Sequence, residues 1–133
     1  CFDKARYIEK SLMFYGMKTR RVFLIDISKY GYLSLLIPGK QFVPSSHAAS
    51  EVKTSKGWLG IDSDKNHILI NDKLDPFPFN EANKNNIDLP DAPIFKKEFF
   101  VVKGLYSRRG NLYRPYFPLL PEINYGEFKQ NFF

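Results

Sequence analysis

The sequence is short of the residues that build disulfide frameworks, metal clusters and membrane spans. Its 133 residues include one cysteine, one tryptophan and two histidines. A single cysteine excludes an internal disulfide and favours a reducing compartment, so we expect a cytoplasmic protein. One cysteine and two histidines offer no zinc-ligand spacing, and we expect neither a metal ion nor a cofactor. The longest uncharged apolar stretch, Tyr30–Gly39, is shorter than the roughly 18 residues that a membrane span needs, so we predict no membrane partner.

The charge balance raises nucleic acid as one class of partner. Twenty basic residues against fourteen acidic ones leave a net charge of +6. The arginines at positions 20, 21, 108, 109 and 114, interleaved with tyrosines, are the residue types of a phosphate-and-stacking surface. The excess charge is modest, however, and the best aromatic cluster lies in the less basic half of the chain. A solvated face explains these arginines more simply, so we do not expect a nucleic-acid partner.

The pattern of apolar residues predicts an α+β domain, with an N-terminal helix packed on a mainly antiparallel sheet. Ala5, Ile8, Leu12 and Tyr15 recur at helical spacing, and Gly16 is placed to end the helix. Glu9 falls largely on the other side of this helix. Apolar or alternating runs predict strands over Arg21–Asp26, Tyr32–Ile37, His47–Lys53, Trp58–Asp62, His67–Ile70 and Glu98–Lys103. His67 is read as an exposed turn residue.

Composition changes near residue 75, which divides a single domain (residues 1–133) into a catalytic core (1–75) and a C-terminal wrap (76–133). Seven of the nine prolines lie at or beyond Pro76, and eleven of the 22 aromatic residues lie in residues 95–133. Exposing this many aromatic rings to water is unfavourable, and we therefore expect an irregular segment that covers the core. The chain begins with Cys1, without a methionine or a signal peptide, and we expect a piece of a longer protein.

Three residues suggest nucleophilic catalysis: Cys1 at the start of the predicted helix, His47 at the start of a strand, and Asp62 at the end of the next. A helix N-terminus and a neighbouring imidazolium both favour the reactive thiolate over the thiol. An imidazole serves best when a carboxylate holds its tautomer and stabilises its charge. Directly opposed residues of an antiparallel hairpin share a face, so the loop determines which carboxylate faces His47. A two-residue loop at Thr54-Ser55 selects Asp62, whereas a loop over Thr54–Gly57 selects Asp64.

Several motifs together resemble the transglutaminase-like, papain-related cysteine enzymes. They are Cys1 at the helix start, Arg20-Arg21-Val22 entering a strand, His47-Ala48 with Glu51-Val52, and Gly57-Trp58 with Asp62. The match covers residues 1–65. The resemblance implies that Cys1 is the nucleophile, His47 the general acid and base, and Asp62 the orienting carboxylate.

A thioester acyl-enzyme formed from a protein, peptide or amide substrate would follow from this resemblance, with hydrolysis favoured over cross-linking. Trp58 is then either a core residue or a wall of the substrate site. The alternative is a catalytically inactive member of the same fold that binds a protein or a glycan, because a fold does not establish turnover.

Overall fold

A computed structural model describes residues 2–28, 46–82 and 99–103, and it has an α+β architecture. Its elements in chain order are α1 (Phe2–Phe14), β1 (Thr19–Asp26), β2 (Ser46–Thr54), β3 (Gly57–Asp62), β4 (His67–Ile68), α2 (Phe79–Ala82) and β5 (Phe99–Lys103). The predicted helix is present, and so are the strands predicted within these ranges, but the strand predicted over His67–Ile70 covers only His67–Ile68. Helix α2 was not predicted. The strand predicted over Tyr32–Ile37 lies outside the described residues, as do residues 83–98 and 104–133 of the C-terminal segment.

Helix α1 ends as its sequence predicts. Gly16 has a φ of 78°, a backbone conformation in which a side chain would be strained. Its N–H bonds to the carbonyl of Met13, and the N–H of Met17 bonds to the carbonyl of Leu12. These two hydrogen bonds form a Schellman motif, which satisfies carbonyl groups at the end of the helix and turns the chain toward β1.

The predicted inner face of α1 is only partly right. Ala5 is fully buried, but Tyr15 is 79% exposed, and Glu9, expected mostly away from the core, is fully buried. The reason is an ion pair: Arg21 Nη2 of β1 donates to Glu9 Oε2 over 2.5 Å, with neither side chain exposed to solvent. Glu9, and not Tyr15, therefore belongs to the face of α1 that contacts the sheet.

Five antiparallel strands form one sheet in the order β4-β3-β2-β1-β5. Helix α1 packs on β1 and β2 from one side, where Ser50 Oγ donates to the carbonyl of Ala5. The opposite side carries the main apolar cluster, which comprises Val22, Leu24, Ala49, Leu69, Phe77, Phe79, Ala82 and Phe99. Since this list includes residues on both sides of position 75, the core is built from the predicted core segment and from the segment that follows it.

The β3 strand is close-packed against this apolar cluster at Gly60. A Cβ at this position would lie 2.6 Å from Leu69 Cδ1 and 3.0 Å from Phe79 Cε2. The absence of a side chain at Gly60 therefore lets Leu69 and Phe79 cover the sheet. In the part of the chain that the structure describes, neither helix has the length and apolar character needed to cross a membrane.

Candidate functional site

His47 and Asp62 meet at one end of the sheet. His47 lies near the start of β2, beside Leu24 of β1, and Asp62 is the last residue of β3. His47 Nε2 is 2.9 Å from Asp62 Oδ1. The imidazole is 13% exposed and the carboxylate is fully buried. The pair is therefore shielded on the carboxylate side and reachable by solvent only at the histidine ring.

The register of the β2–β3 hairpin explains why the two side chains meet. Thr54 pairs with Gly57 and Ser50 with Ile61, so the turn consists of Ser55 and Lys56. Continued to the strand ends, this register places Asp64 opposite His47, as the longer predicted loop requires. The chain leaves β3 after Asp62, however, and Asp62 is the diagonal neighbour on the same face, within reach of a long side chain. The hydrogen bond from the histidine is thus made to Asp62.

Asp62 is held by the backbone of the turn that follows it. Its Oδ1 atom accepts the N–H of Asp64 at 3.0 Å and that of Lys65 at 3.3 Å. Burial alone raises the pKa of Asp62, but the hydrogen bond and the charge of His47, with the two backbone donors, outweigh burial and hold the pKa below its ordinary value of 3.8. The carboxylate is therefore ionised at neutral pH and carries the charge that an imidazolium needs.

The hydrogen bond also determines which nitrogen of His47 remains for chemistry. An ionised carboxylate only accepts hydrogen bonds, so Nε2 of His47 is the donor. In the neutral ring the other nitrogen, Nδ1, then carries a lone pair and can accept a proton. Because the carboxylate fixes the ring on one side, the basic nitrogen is left on the other. This is the arrangement that a general base requires.

The N-terminal end of α1 lies next to the turn that holds Asp62. Lys4 Nζ is 3.0 Å from Asp64 Oδ1, and this contact is the main cause of a pKa of Asp64 below its ordinary value. An open groove of about 460 Å³ runs along the same junction; its lining consists of Asp3, Lys4, Tyr7, Ile8 and Ser63. Cys1 itself lies outside the described residues, and it immediately precedes Phe2, the first residue of α1.

Trp58 lies at the other end of β3 from Asp62. The two residues are four positions apart, which corresponds to about 13 Å along an extended strand. The guanidinium carbon of Arg20 lies 3.9 Å from the centre of the indole ring, and Arg20 also binds the buried Glu51 at 2.6 Å. Glu51 Oε1 in turn accepts the N–H of Phe79 at 2.9 Å. Trp58 therefore belongs to a cluster that joins β1, β2 and α2, and the structure does not bring it together with His47.

Both arginines of the Arg20-Arg21 pair are committed to buried glutamates. Arg20 binds Glu51 and Arg21 binds Glu9, and each glutamate is fully buried. Their charge is thus compensated inside the fold, which is unlike the exposed cations of a phosphate-binding surface. The other arginines considered for such a surface, at positions 108, 109 and 114, lie outside the described residues.

His67 is a residue whose position the sequence interpretation missed. The expectation of an exposed turn residue is wrong, because His67 begins β4, pairs directly with Asp62 and has a buried Nε2 atom. The signal was available in the spacing, since the four-residue turn Ser63–Asn66 leaves Asp62 and His67 as the closing pair of a hairpin. Asn66, at a φ of 57°, is of a residue type that tolerates the left-handed conformation in such turns.

Within residues 2–28, 46–82 and 99–103, no group of three or more histidine, cysteine, aspartate or glutamate side chains is arranged to hold a metal ion. Comparison of the chain with protein-family models, with curated proteins and with solved structures finds no match.

Proposed function

We propose that this chain is a transglutaminase-like thiol enzyme that acts on amide bonds of proteins or peptides. In this proposal Cys1 is the nucleophile, His47 is the general base and acid, and Asp62 orients the imidazole. The observation that carries the proposal is the 2.9 Å contact between His47 and a buried, backbone-held carboxylate. It is supported by the Lys4–Asp64 ion pair, which joins the N-terminal end of α1 to the turn that follows Asp62.

The first half of the reaction forms a thioester. Nδ1 of His47 takes the thiol proton of Cys1, and the thiolate attacks the carbonyl carbon of the substrate amide. The tetrahedral intermediate collapses as the imidazolium returns that proton to the departing nitrogen, so the C–N bond breaks and a free amine leaves. Asp62 stabilises the imidazolium during this exchange and keeps its Nε2–H directed at Oδ1.

The second half of the reaction releases the acyl group. His47 takes a proton from water as the water oxygen attacks the thioester carbonyl. The C–S bond then breaks, and the imidazolium returns the proton to the departing thiolate, which yields a carboxylic acid and the free thiol. If an amine replaces water, the same step forms a new amide and cross-links two molecules. We favour hydrolysis because it requires no second binding site.

Alkylation of the chain by iodoacetamide tests the thiol–imidazole pair directly, because Cys1 is the only cysteine and therefore the only thiol measured. At pH 6.5 an ordinary thiol with a pKa near 8.5 is only about 1% thiolate. An imidazolium partner that lowers the pKa to about 6.5 raises that fraction about 50-fold, while the lower intrinsic nucleophilicity offsets part of the gain. We therefore expect Cys1 to react about tenfold faster than a model thiol.

Matched variants assign the effect to residues. His47→Ala should reduce the alkylation rate at pH 6.5 to that of a model thiol, and Asp62→Asn should reduce it partly. Asp75→Asn is the control, because Asp75 is a partly exposed carboxylate that pairs with Lys56 of the β2–β3 turn. The measurements are repeated on a chain that carries additional residues before Cys1, since a free α-amino group beside the thiol also perturbs its titration. Equal rates in the wild type and His47→Ala would remove His47 from the mechanism.

Turnover is tested separately by incubating the chain with a library of peptide amides and measuring its intact mass. A thioester adds the mass of the acyl group to Cys1 and is released by hydroxylamine. Accumulation of that adduct, and its loss in the His47→Ala variant, is the expected result. Peptide or glycan binding without any adduct would contradict the proposal and support the alternative of an inactive binding module.

A further inference from the structure

The two carboxylate oxygens of Asp62 have very different surroundings. Oδ1 accepts three hydrogen bonds, from His47 Nε2 and from the N–H groups of Asp64 and Lys65. Oδ2 is equally buried and has no hydrogen-bond partner among the residues that the structure describes. A buried charged oxygen without a hydrogen-bond donor is energetically unfavourable, which indicates that a contact to Oδ2 is missing.

A second polar atom in the same condition lies on the neighbouring strand. His67 Nε2 is buried and has no partner within the described part of the chain. Asp62 and His67 are directly opposed in the β3–β4 pairing, so their side chains share one face of the sheet. An acceptor and a potential donor, each unsatisfied, thus stand on opposed residues of one hairpin.

We propose that His67 is a positioning residue for the His47–Asp62 pair, and that its Nε2–H reaches Asp62 Oδ2 across one buried water molecule. The water oxygen accepts from His67, and one water proton is donated to the carboxylate. A buried water normally makes two to four hydrogen bonds to polar groups, and His67 Nε2 and Asp62 Oδ2 provide two of these. The contact itself does not depend on the proposed enzymatic activity; only its consequence for catalysis rests on that proposal.

The consequence concerns the plane of the carboxylate. With donors on Oδ1 alone, the Oδ2 end of the group has no directed contact to oppose rotation about its Cβ–Cγ bond. A donor on Oδ2 fixes both ends, so that Oδ1 stays directed at His47 Nε2. The titratable groups around the carboxylate are His47 from β2, Asp64 from the turn, and Lys4 from α1, which contacts Asp64.

Three variants test the contact through the titration of the Asp62 carboxyl group, followed by carbon-13 NMR. His67→Phe removes both ring nitrogens at similar volume and should raise the pKa of Asp62 by about one unit, because a donor that favours the charged form is lost. His67→Gln keeps an amide nitrogen near the position of Nε2 and should restore most of that shift. Ser63→Ala is the control, since Ser63 Oγ is also buried and unpartnered but its residue lines the groove beside α1.

Among the variants, two outcomes would overturn the proposal: a pKa of Asp62 that is unchanged in His67→Phe, or a shift in Ser63→Ala that His67→Phe does not produce. A measurement on the wild type covers the case in which His67→Phe does not fold. Long-range proton–nitrogen spectra at neutral pH should show His67 protonated at Nε2, and protonation at Nδ1 alone would equally overturn the proposal. None of these readouts requires turnover, so failure of the Cys1 chemistry and failure of the His67 contact are distinguishable.

In an active enzyme His67→Phe should lower kcat with little change in KM, and His67→Gln should restore kcat.

Discussion

The ion pair between helix α1 and the sheet allows a sharp test of the fold that supports the site. Arg21 Nη2 and Glu9 Oε2 are 2.5 Å apart and both side chains are completely buried. Glu9→Gln keeps the shape of the side chain but removes the negative charge that contacts the guanidinium. Removing one member of a buried pair costs about 3–5 kcal/mol, because the remaining charge stays desolvated. That is a large part of the roughly 5–15 kcal/mol by which a domain is stable.

Urea unfolding followed by circular dichroism and by the fluorescence of the single tryptophan measures this loss. With a slope of about 2 kcal/mol per molar urea, we expect the midpoint to fall by about 1.5–2.5 M. Asp75→Asn is the matched control, because the Lys56–Asp75 pair is short, at 2.7 Å, but 62% and 45% exposed. Its loss should cost less than about 1 kcal/mol.

A double variant separates the cost of an uncompensated charge from the value of the pair itself. Glu9→Met combined with Arg21→Met replaces both charges with apolar side chains, and such replacements in buried pairs are often neutral or stabilising. We therefore expect the double variant to be more stable than Glu9→Gln. A Glu9→Gln variant that loses no more stability than Asp75→Asn would refute this reasoning, as would a double variant less stable than the single one.

Three further predictions concern single positions. Because the pKa of Asp62 is lowered in the folded state, the unfolded chain binds the Asp62 proton first as pH falls. The stability that this carboxylate contributes is therefore present above about pH 4 and is lost as pH falls through the folded-state pKa. In urea unfolding, the free energies of unfolding of the wild type and Asp62→Asn should converge in acid, and a difference that is constant with pH would contradict this. Gly60→Ala should cost about 1–3 kcal/mol, since its Cβ would lie 2.6 Å from Leu69 Cδ1, and an unchanged thermal midpoint would argue against the close packing. Gly16→Ala should cost about 1 kcal/mol because of the positive φ, with Gly16→Asn losing less; equal losses by calorimetry would point to another cause.

Local patterns in the sequence were sufficient for helix α1, for strands β1, β2, β3 and β5 and for the antiparallel class of the sheet, but they did not predict α2. Helix α1 with its stop at Gly16, and strands β1, β2 and β3, follow from short-range spacing and turn residues, because backbone geometry at these positions depends on immediate neighbours. The same spacing restricted the partner of His47 to Asp62 or Asp64, since residues two apart on a strand share a face. These inferences need no knowledge of distant contacts.

Only the tertiary structure decided which candidates meet. The choice of Asp62 depends on where β3 ends and on the backbone N–H groups of the following turn, which no periodicity encodes. The burial of Glu9 depends on Arg21, twelve residues away on another element, because a buried charge needs an opposite charge to offset its desolvation. The interpretation of His67 was wrong for a related reason: its place in a strand depends on its pairing with Asp62. Contacts between side chains of different elements are long-range properties, and they determine the site.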